Sequence, residues 1–164
     1  MKNGSRAFLI DTNVLVYAYD PSDPFKQRRA IAVLEQVAKK VLGAVSAQIL
    51  GEFFVAVTQK IRNPLTRLQA ERSLTNYVRS WVVYDVTELV VLEAVRGVVR
   101  HQLAYWDSLI WATAKLNRVP NVLSEDFRHG ALIEGVRFLN PFLEEFDPAA
   151  LSVPGGRPLS PRRS

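Results

Sequence analysis

Ala7-Phe8-Leu9-Ile10-Asp11-Thr12-Asn13-Val14-Leu15-Val16-Tyr17 is the stretch on which the fold turns. A short apolar run stops at an acid, a hydroxyl and an amide, and an apolar pattern then resumes. Residues 7–10 are too few for a helix and read as a strand buried on both faces. Thr12 and Asn13 are helix-starting residue types, which predicts a helix over 14–19. Asp11 is thereby expected at the C-terminal end of a central strand, where open α/β sheets place their ligands. Taken alone, an acid at such a junction is more often a turn or capping residue.

The pattern around this stretch repeats the strand-then-helix alternation. Pro-Ser-Asp-Pro at 21–24 is a turn, and 26–40 reads as an amphipathic helix. A second strand is expected over 41–45, handing over at Ser46 to a helix from 47 to about 60 that Asn63-Pro64 stops. A helix over 65–79, a strand over 81–84 and a helix from Asp85 or Thr87 to about 101 follow. A further helix at about 106–117, strands at 121–124 and 136–139, and a final helix over 142–151 complete the reading. Alternating elements of this kind point to an α/β fold: a central, mostly parallel sheet between two helical layers. Residues 1–151 are expected to form one domain. The segment 152–164, rich in Pro, Gly and Arg, has too little apolar content for a core and is expected to be a disordered tail.

Composition excludes several classes. The 164 residues contain no Cys, which rules out disulfides and thiolate metal sites. Ser46, Gln48 and Glu52 interrupt the best candidate for a membrane span, over 41–57, and 7–10 is too short for a signal-peptide core. The expectation is a cytoplasmic protein with no membrane association. The formal charge of +5 favours an anionic partner such as nucleic acid, but Arg157, Arg162 and Arg163 of the tail supply three of the cations, so the signal is weak.

Most acids have ordinary surface roles; Glu93 and Glu134, for example, fit solvated helix faces. Four do not. Glu52 sits mid-helix in Ile49-Leu50-Gly51-Glu52-Phe53-Phe54-Val55, with Gln48 one turn before it and only Lys60, two turns on, as a cation on its face. Asp107 is surrounded by Trp106, Leu109, Ile110 and Trp111, where an N-cap is the competing reading. Asp126 follows the 121–124 strand much as Asp11 follows 7–10. Bland readings need a separate excuse for each, whereas a single cation site accounts for all four. Converging carboxylates repel one another, and a divalent cation removes that penalty. With oxygen donors only, the fitting ion is Mg²⁺, with Mn²⁺ as the alternative. The natural chemistry at such a site is in-line hydrolysis of a phosphodiester.

These motifs resemble the PIN-domain ribonucleases, and among them the VapC-type toxins of toxin–antitoxin pairs. The likeness rests on Asp11-Thr12-Asn13-Val14-Leu15-Val16-Tyr17, Ser46-x-Gln48-x-x-x-Glu52, Tyr105-Trp106-Asp107-Ser108-Leu109-Ile110 and Leu123-Ser124-Glu125-Asp126. The closing Gly135-Val136-Arg137-Phe138-Leu139-Asn140-Pro141-Phe142 is similar to a family ending. The resemblance implies a three-layer α/β/α fold and a metal-dependent endoribonuclease that leaves 5′-phosphate and 3′-hydroxyl ends. It implies that Asp11, Glu52, Asp107 and Asp126 bind the metal, with Thr12, Asn13, Ser46 and Ser124 orienting them and Glu125 as a possible helper. It also implies an RNA substrate, a small cognate antitoxin and a homodimer. Lys26, Arg28, Arg29, Arg62, Arg67 and Arg128 are candidate contacts to an RNA backbone, though each is more often a plain solvated charge. A phospho-acceptor domain fits less well, because Glu52 has no role in one. A hydrolase using Asp11 as nucleophile would favour an Asp where Asn13 stands. A silent PIN-like binding module is the remaining alternative.

Overall fold

The computed structural model describes residues 7–40 and 42–151. The 152–164 segment, and with it the expected tail, lies outside the described residues. Six strands form one sheet in the order β3-β2-β1-β4-β6-β5. In chain order the elements are β1 (Ala7–Ile10), α1 (Thr12–Tyr17), α2 (Pro24–Lys40), β2 (Leu42–Ser46), α3 (Ala47–Val55), α4 (Arg67–Ser80), β3 (Val82–Tyr84), α5 (Glu88–His101), α6 (Tyr105–Leu116), β4 (Asn121–Leu123), β5 (Leu132–Ile133) and β6 (Val136–Leu139). All neighbours run parallel except the β5–β6 pair. Helices flank this sheet, and the architecture is the expected α/β/α sandwich.

β1 is central because it is apolar on both faces. Leu9 and Ile10 have no exposed surface, nor do Ala44 and Val45 of β2 or Val122 and Leu123 of β4. From β1 the chain winds outward through β2 to β3, then returns to place β4 on the other side of β1. This reversal opens a crevice at the C-terminal ends of β1 and β4, the usual ligand position in a sheet of this type. Ile10 pairs with Leu123, and the Asp11 N–H donates to Leu123 O at 3.0 Å. The residues that follow the two strands, Asp11 and Ser124, are therefore neighbours.

Three local features depart from the sequence reading. The helix expected to run unbroken from 47 to 60 is α-helical only to Val55, and Ala56–Lys60 winds as a wider π turn. There the Ile61 N–H reaches Ala56 O. The final helix over 142–151 is absent; the segment runs through turns to a single 3₁₀ turn, Pro148–Ala150. Pro148 disfavours helical backbone at Asp147, which is extended at φ −100°, ψ 110°. Side chains of Arg29 and Lys40 hold this segment to α2 through the carbonyls of Phe146 and Ala149. Finally, β5 is an unforeseen two-residue strand joined to β6 by Glu134 and Gly135, both at positive φ as a tight hairpin turn requires.

That turn also corrects the reading of two acids. Glu134 is on the hairpin, not a helix, and with Glu93 of α5 it pairs with Arg96 and Lys115 around the Trp111 indole. Hydrogen bonds from Arg96, reinforced by Lys115, hold both carboxyls well below the usual range. Behind this network α5 and α6 pack tightly at Gly97. A β-carbon there would stand 2.2 Å from Ser108 Oγ and 2.7 Å from Trp111 Cζ3. Gly97→Ala is therefore expected to destabilise the fold by about 2–3 kcal/mol, read as a lower midpoint in urea with unchanged slope.

Candidate active site

Asp11 is the fixed point of the crevice. It caps α1, with Oδ1 accepting the Thr12 N–H at 2.6 Å, while Oδ2 accepts the Ser124 hydroxyl at 2.6 Å. The capping reading is thus correct as geometry, yet a cap on an exposed helix would not be 96% buried, as the residual exposure of 4% makes this one. Burial pushes the carboxyl from 3.8 up to about 7. The bonds from Ser124 and Thr12 oppose that rise, and the charges of Asp126 and Glu52 add to it.

The neighbouring residues position the other acids. The Thr12 hydroxyl donates to Glu52 Oε2 at 2.8 Å, and Gln48 Nε2, one turn before Glu52 on α3, donates to Oε1 at 2.8 Å. Asn13 Nδ2 donates to Asp126 Oδ2 at 3.0 Å, and the Asp126 N–H donates to the buried Ser124 hydroxyl at 3.1 Å. Asp107 lies in the first turn of α6, but Ala104 is the N-cap and no side chain caps that helix. The N-cap alternative for Asp107 is thereby excluded. Its carboxyl is raised by burial first, then by the charges of Asp126 and Glu52. Asp11, Glu52, Asp107 and Asp126 all line one cavity of about 390 Å³.

Ser46 and Glu125 stand apart from this group. The Ser46 hydroxyl accepts the Ile49 N–H at 3.2 Å as the N-cap of α3, so it orients the helix that carries Glu52 and does not touch Asp11. Ser46→Ala is expected to cost about 1 kcal/mol of stability. Any RNA-cleaving activity should stay within about twofold of wild type, which a denaturation curve and a rate assay on the same preparation would check. Glu125 is turned toward Tyr17 and Lys26, accepting from each at 2.7 Å. Lys26 and Arg29 are therefore occupied within the fold, which removes two of the six basic residues from the simplest picture of a backbone-binding surface.

The same cavity is lined by residues the sequence reading did not assign. Asp20 follows α1 as a fifth acid on the wall, and Trp106, Tyr17 and Lys60 complete the mouth. Asp20 had no strand end or apolar helix face to mark it. Lys60 reaches the cleft from the π turn, which no helical periodicity describes.

The donor set fits a hard divalent cation. Every acid at the cavity offers oxygen, two of them, Glu52 and Asp126, raise the carboxyls of both Asp11 and Asp107, and Gln48 Oε1 is buried with no hydrogen-bond partner among the described residues. No three acids or histidines among the described residues are already drawn into ligating distance. The carboxylates surround the cavity; they do not close on a point within it.

The PIN domain family model matches residues 8–132, from the first central strand to the edge hairpin. The chain belongs to the PIN domain family. Solved structures agree on the fold. This PIN domain is similar to FitAB bound to a DNA fragment (23% identity, TM-score 0.61, covering 84% of this chain and 97% of that one). It is also similar to a toxin–antitoxin complex from Klebsiella pneumoniae (21%, 0.59, 81% and 96%). A third is Mycobacterium tuberculosis VapC20, described as a sarcin–ricin loop cleaving toxin (16%, 0.56, 70% and 86%). No curated protein sequence matches the chain. Among the described residues of this PIN domain, no helix is long and apolar enough to cross a membrane.

Proposed function

We propose that this PIN domain is a divalent-metal-dependent endoribonuclease and the toxin of a cytoplasmic toxin–antitoxin pair. The observation that carries the reading is the convergence of Asp11, Glu52, Asp107 and Asp126 on one cavity at the β1/β4 reversal, where burial, with Asp126 and Glu52 adding to it, pushes the Asp11 carboxyl up to about 7. The residues that would hold Mg²⁺ or Mn²⁺ are these four acids. When bound, such an ion offsets the phosphate charge and makes water in the cleft a stronger acid.

The chain's own groups prepare that chemistry. Thr12 and Gln48 fix one oxygen each of Glu52, so its carboxylate cannot swing away when substrate enters. Asn13 and Ser124 tie Asp126 to Asp11 through shared hydrogen bonds, so the two strand-end acids move as a unit. Burial of Asp11 keeps bulk water off its oxygens and strengthens every charge interaction there. In-line attack of water on a phosphodiester at this place would give 5′-phosphate and 3′-hydroxyl ends.

A small antitoxin and a second copy of the chain are the proposed partners. The neighbouring structures that are toxin–antitoxin complexes support the first. A stripe of exposed Leu89, Leu92, Val95 and Val99 on α5 supports the second, since its spacing puts all four on one helix face. The test is cleavage of a pool of structured RNAs in Mg²⁺, Mn²⁺ or EDTA by wild type and Glu52→Gln. Discrete cuts that need metal and Glu52 support the reading. Metal binding without cleavage of any RNA in the pool would favour a silent binding module.

A further inference from the structure

A second cavity of about 570 Å³ opens beside the acid cleft and shares Thr12, Gln48, Glu52, Ala56, Lys60 and Trp106 with it. Its character is different. Among the described residues Glu52 is the one acid on its wall, Gly51 and Val55 are the residues it does not share with the cleft, and the Trp106 indole stands where the two cavities meet. Trp106 is 64% exposed, although a large aromatic ring gains by burial, and Tyr105 packs edge-on against it at 5.1 Å. Gln48 Nε2 donates to the Trp106 carbonyl at 3.3 Å, so the residue that orients Glu52 also fixes the backbone that presents this ring. Gly51 is exposed on α3, and a β-carbon there would meet no atom within 4 Å, which leaves the floor open. Exposed Lys60 stands at the rim shared by both cavities.

We infer that this groove is a nucleotide subsite in which one unpaired base of the substrate stacks on Trp106 and Lys60 pairs with a backbone phosphate. The inference rests on the nuclease reading of the adjacent acids and extends it to how the strand is held. An aromatic face accepts any base, a lone cation at the rim complements a phosphate, and a volume in the range of ordinary ligand pockets admits a nucleotide. The groove is continuous with the acids, so a base seated there belongs to a nucleotide close to the bond that is cut. Selection then falls on unpaired segments of a structured RNA, because a paired base cannot reach the ring.

The test reads binding separately from cleavage. Fluorescently labelled single-stranded RNA pentamers are titrated with the full chain in EDTA for wild type, Trp106→Phe, Trp106→Ala, Gly51→Leu and Lys60→Ala; the anisotropy of the label gives the dissociation constant, and tryptophan emission is followed in parallel. Wild type is expected to show quenching that Trp106→Phe loses. The dissociation constant should rise about tenfold in Trp106→Ala and in Gly51→Leu. Lys60→Ala should lower the slope of log K against log salt by about 0.7. Gly51→Leu changes an exposed helix glycine with free space above it, so it stays folded and keeps the test valid even where Trp106→Ala does not. Equal quenching and affinity in all variants would overturn the inference while leaving a metal-dependent cleavage activity standing. Stacking without cleavage of any RNA in metal would instead overturn the nuclease reading and keep the subsite. Trp106 emission that changes only with protein concentration would give the groove to a second copy of the chain and overturn the inference.

Discussion

Asp11→Asn should abolish RNA cleavage, by at least about a hundredfold, and at the same time raise the melting temperature of the metal-free protein. The second half of this expectation follows from linkage. Burial lifts the Asp11 carboxyl from 3.8 to about 7, with Asp126 and Glu52 adding to the rise. The folded chain therefore binds a proton that the unfolded chain has released between these values. The stabilising contribution of that proton is complete below pH 3.8 and is lost as the pH rises through about 7. A shift of this size corresponds to about 4 kcal/mol of charge-burial penalty above pH 7. Asparagine carries no charge, and its carbonyl can still accept the Thr12 N–H. Near pH 4 the variant and wild type should melt together. At pH 8 the variant should melt higher by about 5–10 °C, and calorimetric scans at the two values decide the matter. A lower melting temperature for the variant at pH 8 would mean that Asp11 is a structural cap whose charge costs nothing.

Divalent cation should reverse this penalty. At a concentration a hundred times the dissociation constant, Mn²⁺ is expected to stabilise wild type by about 2.7 kcal/mol, and to do so less in Asp11→Asn, Glu52→Gln or Asp126→Asn. Because the cation competes with the proton on Asp11, its apparent affinity should climb about tenfold per pH unit up to about 7 and then level off. Asp107, raised in the same direction by burial and by Asp126 and Glu52, steepens the lower part of that rise. Removing the ion with EDTA should return the melting temperature to the metal-free value and cut RNA cleavage by at least about a hundredfold. A melting temperature indifferent to Mn²⁺ at every pH would place the cation elsewhere, or nowhere, on this chain.

Much of this is legible in the amino-acid sequence, and for identifiable reasons. The strand at 7–10 announces itself because a run with no polar residue can only be buried on both sides. Glu52 and Asp107 stood out because a carboxylate among large apolar neighbours has no cheap local partner. Ser124 and Asn13 follow from being beside a strand-end acid. Other features rest on contacts far apart in sequence. The π turn at Ala56–Lys60 brings Lys60 to the cleft through a widened hydrogen-bond pattern that apolar spacing cannot signal. The resemblance implies Ser46 as a residue that orients the acids, while its hydroxyl accepts the Ile49 N–H and caps α3 instead. Glu125, next to Asp126, is drawn off by Tyr17 and Lys26, which lie about a hundred residues earlier. The helix expected over 142–151 had suitable composition, but Pro148 and the anchoring by α2 decide its shape.

The central claim is that the four acids direct water, and not the RNA 2′-hydroxyl, at the scissile phosphate. Cleavage in ¹⁸O-labelled water with Mn²⁺, followed by mass spectrometry of the fragments, tests it most directly. The account predicts one labelled oxygen in the 5′-phosphate of the downstream fragment and an unlabelled 3′-hydroxyl on the upstream one. A 2′,3′-cyclic phosphate upstream with an unlabelled 5′-hydroxyl downstream would contradict it.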